Sequence, residues 1–232
     1  SIELLALRRN IMKEAADELG IEFIDETAPD PTSDVGIPGA QQYIAEKSPT
    51  WIEKYGKDTA FFCTNDAHTE PLLRGIASGG AIFVEQDLPS PIMGYPGAFS
   101  VDLSGEAGDW PAINKKVEDV VVEKGGSGRM GTWAYSLGYS TTIGAVDLVI
   151  DVLDGKKELT NIEDIKSAIG NYTEGANWMG SYYVDRASGE EMKNHVLVSQ
   201  DTYVYGKGYL GMDKVEVPEK YLQMNVDEAQ GK

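Results

Sequence analysis

Residues 59–86, TAFFCTNDAHTEPLLRGIASGGAIFVEQ, decide the fold. The runs TAFFCT and AIFVEQ are short, apolar and rich in aromatic and β-branched residues, as buried strands are. Between them, EPLLRGIASGG reads as a helix that stops on paired glycines. A strand, a helix and a strand in so short a stretch form a right-handed crossover and make the two strands parallel. The rhythm extends upstream. SIELLALRRNIMKEAADELG places Leu4, Leu7, Ile11, Ala15 and Leu19 at helical spacing and ends at Gly20. IEFIDET follows as a strand, APDPTSDVGIPG as a turn-rich loop, and AQQYIAEKSPTWIEKYG as a helix interrupted at Pro49. Alternating helices and strands predict an α/β fold, a parallel sheet with helices on both faces.

Beyond residue 86 the pattern loosens. DLPSPIMGYPGAFSVDLSGEAGD is a Pro/Gly-rich connection with a short strand expected at Phe99–Leu103. WPAINKKVEDVVVEKG is an amphipathic helix with Pro111 in its first turn. STTIGAVDLVIDVLDG is a second helix with Ile143, Val146, Val149, Ile150 and Leu153 on its apolar side. NIEDIKSAIG is a shorter helix, and HVLVSQDTYVYG a terminal strand region. The glycines of GGSGRMGTW invite a phosphate-loop reading, but such a loop follows a strand. Here the helix VEDVVVEKG precedes it, which favours a helix C-cap and a hinge.

Composition narrows the partners. The chain has 232 residues, with 20 basic against 38 acidic side chains and a net charge of -18. Nucleic-acid binding needs clustered Lys and Arg to neutralise phosphates, so no nucleic-acid partner is expected. The single Cys63 sits in a strand pattern and reads as a buried thiol. No Cys/His spacing for a metal is present, and neither metal nor cofactor is expected. No stretch reaches the length of a membrane-spanning helix, so this chain is not expected to insert in a bilayer.

In an open parallel sheet, ligands bind beyond the carboxyl ends of the strands. Three such ends are polar here. IEFID leads to Asp30 and Asp34, AFFC to Thr64, Asn65, Asp66 and His68, and AIFVE to Gln86 and Asp87. Asn65 and Asp66 could simply cap the next helix. A helix starting at Ala67, however, would force the Pro71 ring against the carbonyl four residues back. A start near Glu70, with Thr69 as cap, avoids that clash and leaves Asn65, Asp66 and His68 in a protruding loop. Asp30 is equally at home in turn chemistry. Trp133, Tyr135 and Tyr139 of GTWAYSLGYSTT either line a cleft or pack an interface between lobes. The candidate ligand-binding residues are therefore Asp30, Asn65, Asp66, His68, Gln86, Trp133 and Tyr135. Catalysis has less support. The two histidines, His68 and His195, lie far apart, and neither a GxSxG elbow nor a glycosidase carboxylate pair is present. A non-enzyme is expected, with an Asp66/His68 acid/base pair as the alternative.

A strand ending in TND, a helix, and a strand beginning AIFV resemble the second lobe of type I periplasmic binding proteins and lactose-repressor-like sensors. RRNIMKEAADELGIEFIDETAPDPTSDVGIPGAQQYI, EKYGKDTAFFCTNDAHTEPLL and GYPGAF resemble, more narrowly, an uncharacterised bacterial lipoprotein family of that superfamily, near the basic-membrane-protein lipoproteins. The resemblance implies a two-lobed α/β protein that closes on a small polar solute such as a sugar or nucleoside. It also implies an extracytoplasmic location with a lipid anchor, and a role as receptor of an ABC transporter with a membrane permease as partner. A ligand-sensing domain of a regulator shares the same fold. Relative to the family pattern the N-terminal part is expected to be missing. Residues 1–105 would then be most of the second lobe. Residues 106–232 would hold the hinge crossings, the return helix and C-terminal strands.

Overall fold

The strand–helix–strand unit is present in the computed structural model, which describes residues 2–185, 187–212, 220 and 221, with side chains from residue 5 onward. Leu4, expected on the first helix's apolar side, and the end of the 106–232 segment therefore lie outside the described side chains and residues. The chain divides into two units.

The smaller unit contains α1 (Ile2–Leu19). Arg9 Nη1 donates to Asp25 Oδ2 at 2.6 Å, tying the segment after the helix back to it. Lys220 Nζ donates to Glu14 Oε1 at 3.0 Å and also bonds Glu18, while the Tyr221 hydroxyl donates to Glu18 Oε2 at 2.9 Å. Residues 21–30 form no strand, contrary to the reading of IEFIDET. A strand exists only with a hydrogen-bonded neighbour, and none of the described residues provides one.

The larger unit, residues 28–212, is a mixed α/β structure. Its first helix, α2 (Gly36–Tyr55), runs unbroken through Pro49 instead of stopping there. The missing N–H forfeits one helical bond, while burial of Ala40, Ile44 and Ile52 holds the rest. β1 (Ala60–Phe61) and β2 (Ile82–Phe83) pair in parallel around α3 (Thr69–Gly79), with Phe61 opposite Phe83. Phe83 also bridges Met130 in parallel, adding a third segment to the row. α3 lies close on α2 because Gly75 faces Ser48, where a Cβ would come within 2.1 Å of Ser48 Oγ.

The expected strand at Phe99–Leu103 is absent; α4 (Tyr95–Phe99) occupies its first residue. Pro96 starts that helix well, and Ser100 leaves it at a left-handed φ of 57°. α5 (Trp110–Glu123) starts as read, with Asp109 Oδ1 accepting from Ala112 N at 3.0 Å. β3 (Gly131–Thr132) then joins β6 (Tyr203–Val204) and β7 (Gly208–Tyr209) in an antiparallel sheet, and β4 (Trp178–Val184) pairs with β5 (Glu191–Gln200) as an antiparallel hairpin. Among the described residues, parallel pairing is thus confined to the β1–β2–Met130 row. The main core surrounds it: Leu73, Ile76, Phe83, Val117, Met130 and Tyr205 are buried with Tyr95, whose hydroxyl donates to Gly131 O at 2.8 Å.

α6 (Leu137–Leu153) reverses the expected polarity of its faces. Its buried positions are Ser140, Gly144 and Leu148, whereas Val146 and Ile150 are 59% and 55% exposed and Leu153 is 82% exposed. The small residues face α7 (Ile162–Gly170), where a Cβ on Gly144 would lie 2.9 Å from Ile169 Cα. The pair Val146→Lys and Ile150→Lys is expected to change unfolding free energy by no more than ~0.5 kcal/mol per site in denaturant melts. A larger loss would mean that this stripe is covered in the folded chain. Among the described residues, no helix is long and apolar enough to cross a membrane.

Candidate functional site

The loops leaving β1 and β2 meet each other. Asn65 Oδ1 accepts from Ala67 N at 3.0 Å and caps a short 3-10 turn, Asp66–His68, that leads directly into α3 at Thr69. The helix therefore begins one residue before the expected start, and Pro71 falls in its first turn. Asp66 Oδ1 accepts from Leu88 N at 3.2 Å, joining the β1 and β2 loops. Burial pushes the Asp66 carboxyl above the usual carboxylate range. His68 does not protrude. It is 7% exposed, and its Nε2 lies 3.1 Å from Pro29 O, bringing the residue 28–30 loop to the same edge. Asp30 itself is exposed and closes a turn on Thr32, accepting from its N and Oγ1 at 2.8 Å each; these bonds lower its pKa.

Gln86 is 1% exposed and holds the following loop, donating from Nε2 to Ser90 O at 2.8 Å and to Met93 O at 3.0 Å. Its Oε1 has no hydrogen-bond partner. Asn65, His68 and Gln86 thus spend polar groups on loop structure, and Asp66 and His68 each bond to backbone of a neighbouring loop. Cys63 is buried beside Thr69 Oγ1 at 3.4 Å, and burial raises its thiol pKa to about 11.

The residues following β3 take a different path. Trp133 packs edge-on against Trp178, with ring centroids 6.0 Å apart. Its side chain also bonds the partly buried Glu85 carboxylate, which accepts from Thr202 Oγ1 at 2.8 Å; desolvation raises the Glu85 pKa. The chain at Ala134 and Tyr135 is held by Gln200, whose Oε1 accepts from their N–H groups at 3.0 and 3.4 Å. Tyr135 donates its hydroxyl to Glu174 O at 3.1 Å. This anchoring turns Tyr135 into the wall of a cleft of about 610 Å³ between the start of α5, the start of α6 and the segment after α7.

Trp110, Tyr139 and Tyr172 complete its aromatic walls, and Asp109 and Glu174 supply carboxylates. Trp110 and Tyr139 are in ring contact, with centroids 5.2 Å apart. Burial raises the Tyr135 phenol pKa, and the charges of Glu174 and Asp109 add to the shift. Of the seven residues selected from sequence, only Tyr135 lines this cleft. Trp110 and Glu174 were missed because each looks ordinary alone and nothing local in the sequence joins them. Among the described residues, no group of three His, Cys, Asp or Glu side chains could hold a metal ion.

The family described as protein of unknown function (DUF3798) matches residues 1–131, more than half of the 232-residue chain. The chain belongs to this family. The DUF3798 match covers the strand-end loops and α5, and a second family model matches residues 142–224. An uncharacterized protein of Treponema pallidum (strain Nichols) is 36% identical over 118 residues, which cover 51% of this chain and 52% of that protein. The chain thus matches about half the length of that relative. Another uncharacterized protein of the same organism is 31% identical over 88 residues, 38% of this chain and 99% of its own length. The structure of a "Putative transcriptional regulator" from Clostridium difficile 630 aligns with a TM-score of 0.73 at 19% identity, covering 85% of this chain and 55% of that one. At that identity the likeness concerns the fold alone.

Proposed function

We propose that this DUF3798 member is an extracytoplasmic solute-binding protein of the type I periplasmic-binding-protein kind, a parallel sheet covered on both faces by helices, closing two lobes on a small polar solute. The observation that carries this reading is the 610 Å³ cleft, whose size and mixed aromatic and polar walls suit a small molecule. The gathering of the residue 28–30, 65–68 and 86–93 loops at one edge of a parallel row supports it, since such edges collect ligand sites. The exposed apolar stripe of α6 supports a further layer of protein against that helix, as a second lobe would supply. In this reading residues 1–105 form most of one lobe, residues 106–232 hold the hinge crossings and the return to the other, and a lipid anchor and an ABC permease complete the system.

Thermal shift against a panel of sugars, nucleosides and amines tests the binding role. At least one class is expected to raise Tm with a saturable dose response, and Tyr139→Ala is expected to reduce its affinity by about tenfold or more. A panel with no saturable response in wild type rules the role out. The ligand-sensing domain of a regulator is a second reading, in keeping with the name of the C. difficile structure that shares the fold. A helix-turn-helix upstream in the natural gene would select it, and a lipobox would select the transport receptor.

A further inference from the structure

The polar groups lining the large cleft fall into two uncommitted sets. The first is made of donors. Trp110 is 9% exposed, and its Nε1–H is accessible yet meets no acceptor among the described residues. The Tyr139 hydroxyl, in the first turn of α6, is likewise accessible and bonds no described residue. The neighbouring phenols differ: Tyr135 donates to Glu174 O at 3.1 Å, and Tyr172 to Asp147 Oδ1 at 3.4 Å. An indole N–H on so deeply seated a ring normally finds a partner, so this one calls for an acceptor from outside the chain.

The second set is made of acceptors. Asp109 gives only Oδ1 to the α5 cap, 3.0 Å from Ala112 N, and the Glu174 carboxylate bonds no described residue. Tyr135 and Tyr209 hold Glu174 by its carbonyl, at 3.1 and 3.3 Å, which fixes its backbone in the wall. Asn171 donates Nδ2 to Asp147 Oδ2 at 2.9 Å and keeps its Oδ1 to accept.

A ligand has to answer both sets. An anion meets two carboxylates, and a cation leaves the Trp110 and Tyr139 hydrogens without an acceptor. A hydroxyl serves both, accepting from an N–H or O–H while donating to a carboxylate. The rings add a constraint of shape. Trp110 and Tyr139 touch each other, with centroids 5.2 Å apart and planes inclined by 39°. They make one bent wall and leave no parallel slot between them for a flat base. A puckered ring, whose C–H groups carry slight positive charge, lies well on such electron-rich faces.

We infer that the cleft binds a pyranose sugar ring, its hydroxyls bridging the Trp110 and Tyr139 hydrogens and the Asp109 and Glu174 carboxylates. This rests on the solute-binding reading and names its substrate class.

Calorimetric titration of the full chain with glucose, galactose, mannose and xylose tests it. Tetrahydropyran-2-methanol, the same ring stripped to a single hydroxyl, is run beside them with adenosine and phenethylamine. At least one of the sugars is expected to bind saturably, and at least about a hundredfold more tightly than the stripped ring. Tyr139→Phe removes one donor at a partly exposed position, and Glu174→Gln removes one charge at an exposed one. Each is expected to keep the wild-type Tm and to weaken binding of that sugar about tenfold. Methyl glycosides distinguish a chain-end residue, which tolerates the blocked anomeric oxygen, from a free sugar, which does not. Adenosine or phenethylamine binding while every sugar stays silent would overturn the sugar assignment and leave the solute-binding role intact. Sugar binding matched by the stripped ring, or unchanged in both variants, would overturn the bridging arrangement in this cleft. Silence from every probe and from the panel of sugars, nucleosides and amines would end both readings.

Discussion

Gly131→Ala is expected to destabilise the protein by about 3 kcal/mol or more, at the upper end of overpacking costs. A Cβ at residue 131 would sit 2.1 Å from Val84 O and 3.0 Å from Thr202 Cγ2. The nearer obstacle is backbone, which no rotamer change can move aside. Relief requires β3 to retreat from the end of β2, and that retreat strains the Phe83–Met130 bridge and the bond from the Tyr95 hydroxyl to Gly131 O. Equilibrium denaturation measures the loss. Gly105→Ala, where nothing lies within 4 Å of the new Cβ, is the control. A Gly131→Ala variant within ~1 kcal/mol of wild type would mean that β3 does not approach Val84 as described.

Asp201→Ala is expected to cost about 3 kcal/mol, for a different reason. Asp201 is 2% exposed and accepts three hydrogen bonds, from Asn177 N at 2.9 Å, Asn177 Nδ2 at 2.7 Å and Gly211 N at 3.1 Å. Alanine strands these donors at the base of the β4–β5 hairpin. Asp201→Asn keeps the shape and one acceptor, and should recover part of the loss. Because Gln200 next to it holds the Tyr135 backbone, the damage should reach the cleft as well. Quenching of Trp110 and Trp133 by acrylamide follows that loosening. If Asp201→Ala melts with wild type and its tryptophans stay equally protected, the carboxylate carries no structural role.

The unit between residues 59 and 86 was legible because its signals are local. A strand composition, a helix and a glycine stop each lie within a few residues, and β1, α3 and β2 follow them. α5 was legible for the same reason, through its amphipathic pattern and Pro111 in the first turn. IEFIDET misled because strand composition does not reveal whether a neighbour exists. α6 misled because its contact with α7 needs small residues, so Ser140 and Gly144 are inside while the valines and isoleucines that dominate its pattern point outward. At the candidate site, sequence located the polar loops and offered Asn65 as a cap, but it gave no sign that His68 would bond a carbonyl of a distant loop. The cleft was the least legible part. Tyr135 reaches its wall through Gln200, which stands 65 positions away in the sequence.

The two ends of the cleft fall in different matched stretches: Asp109 and Trp110 lie in the one matched by the DUF3798 family, whereas Tyr172 and Glu174 lie in the one matched by the second model. A sequence change confined to either stretch therefore alters one wall of the cleft and leaves the opposite wall as it was.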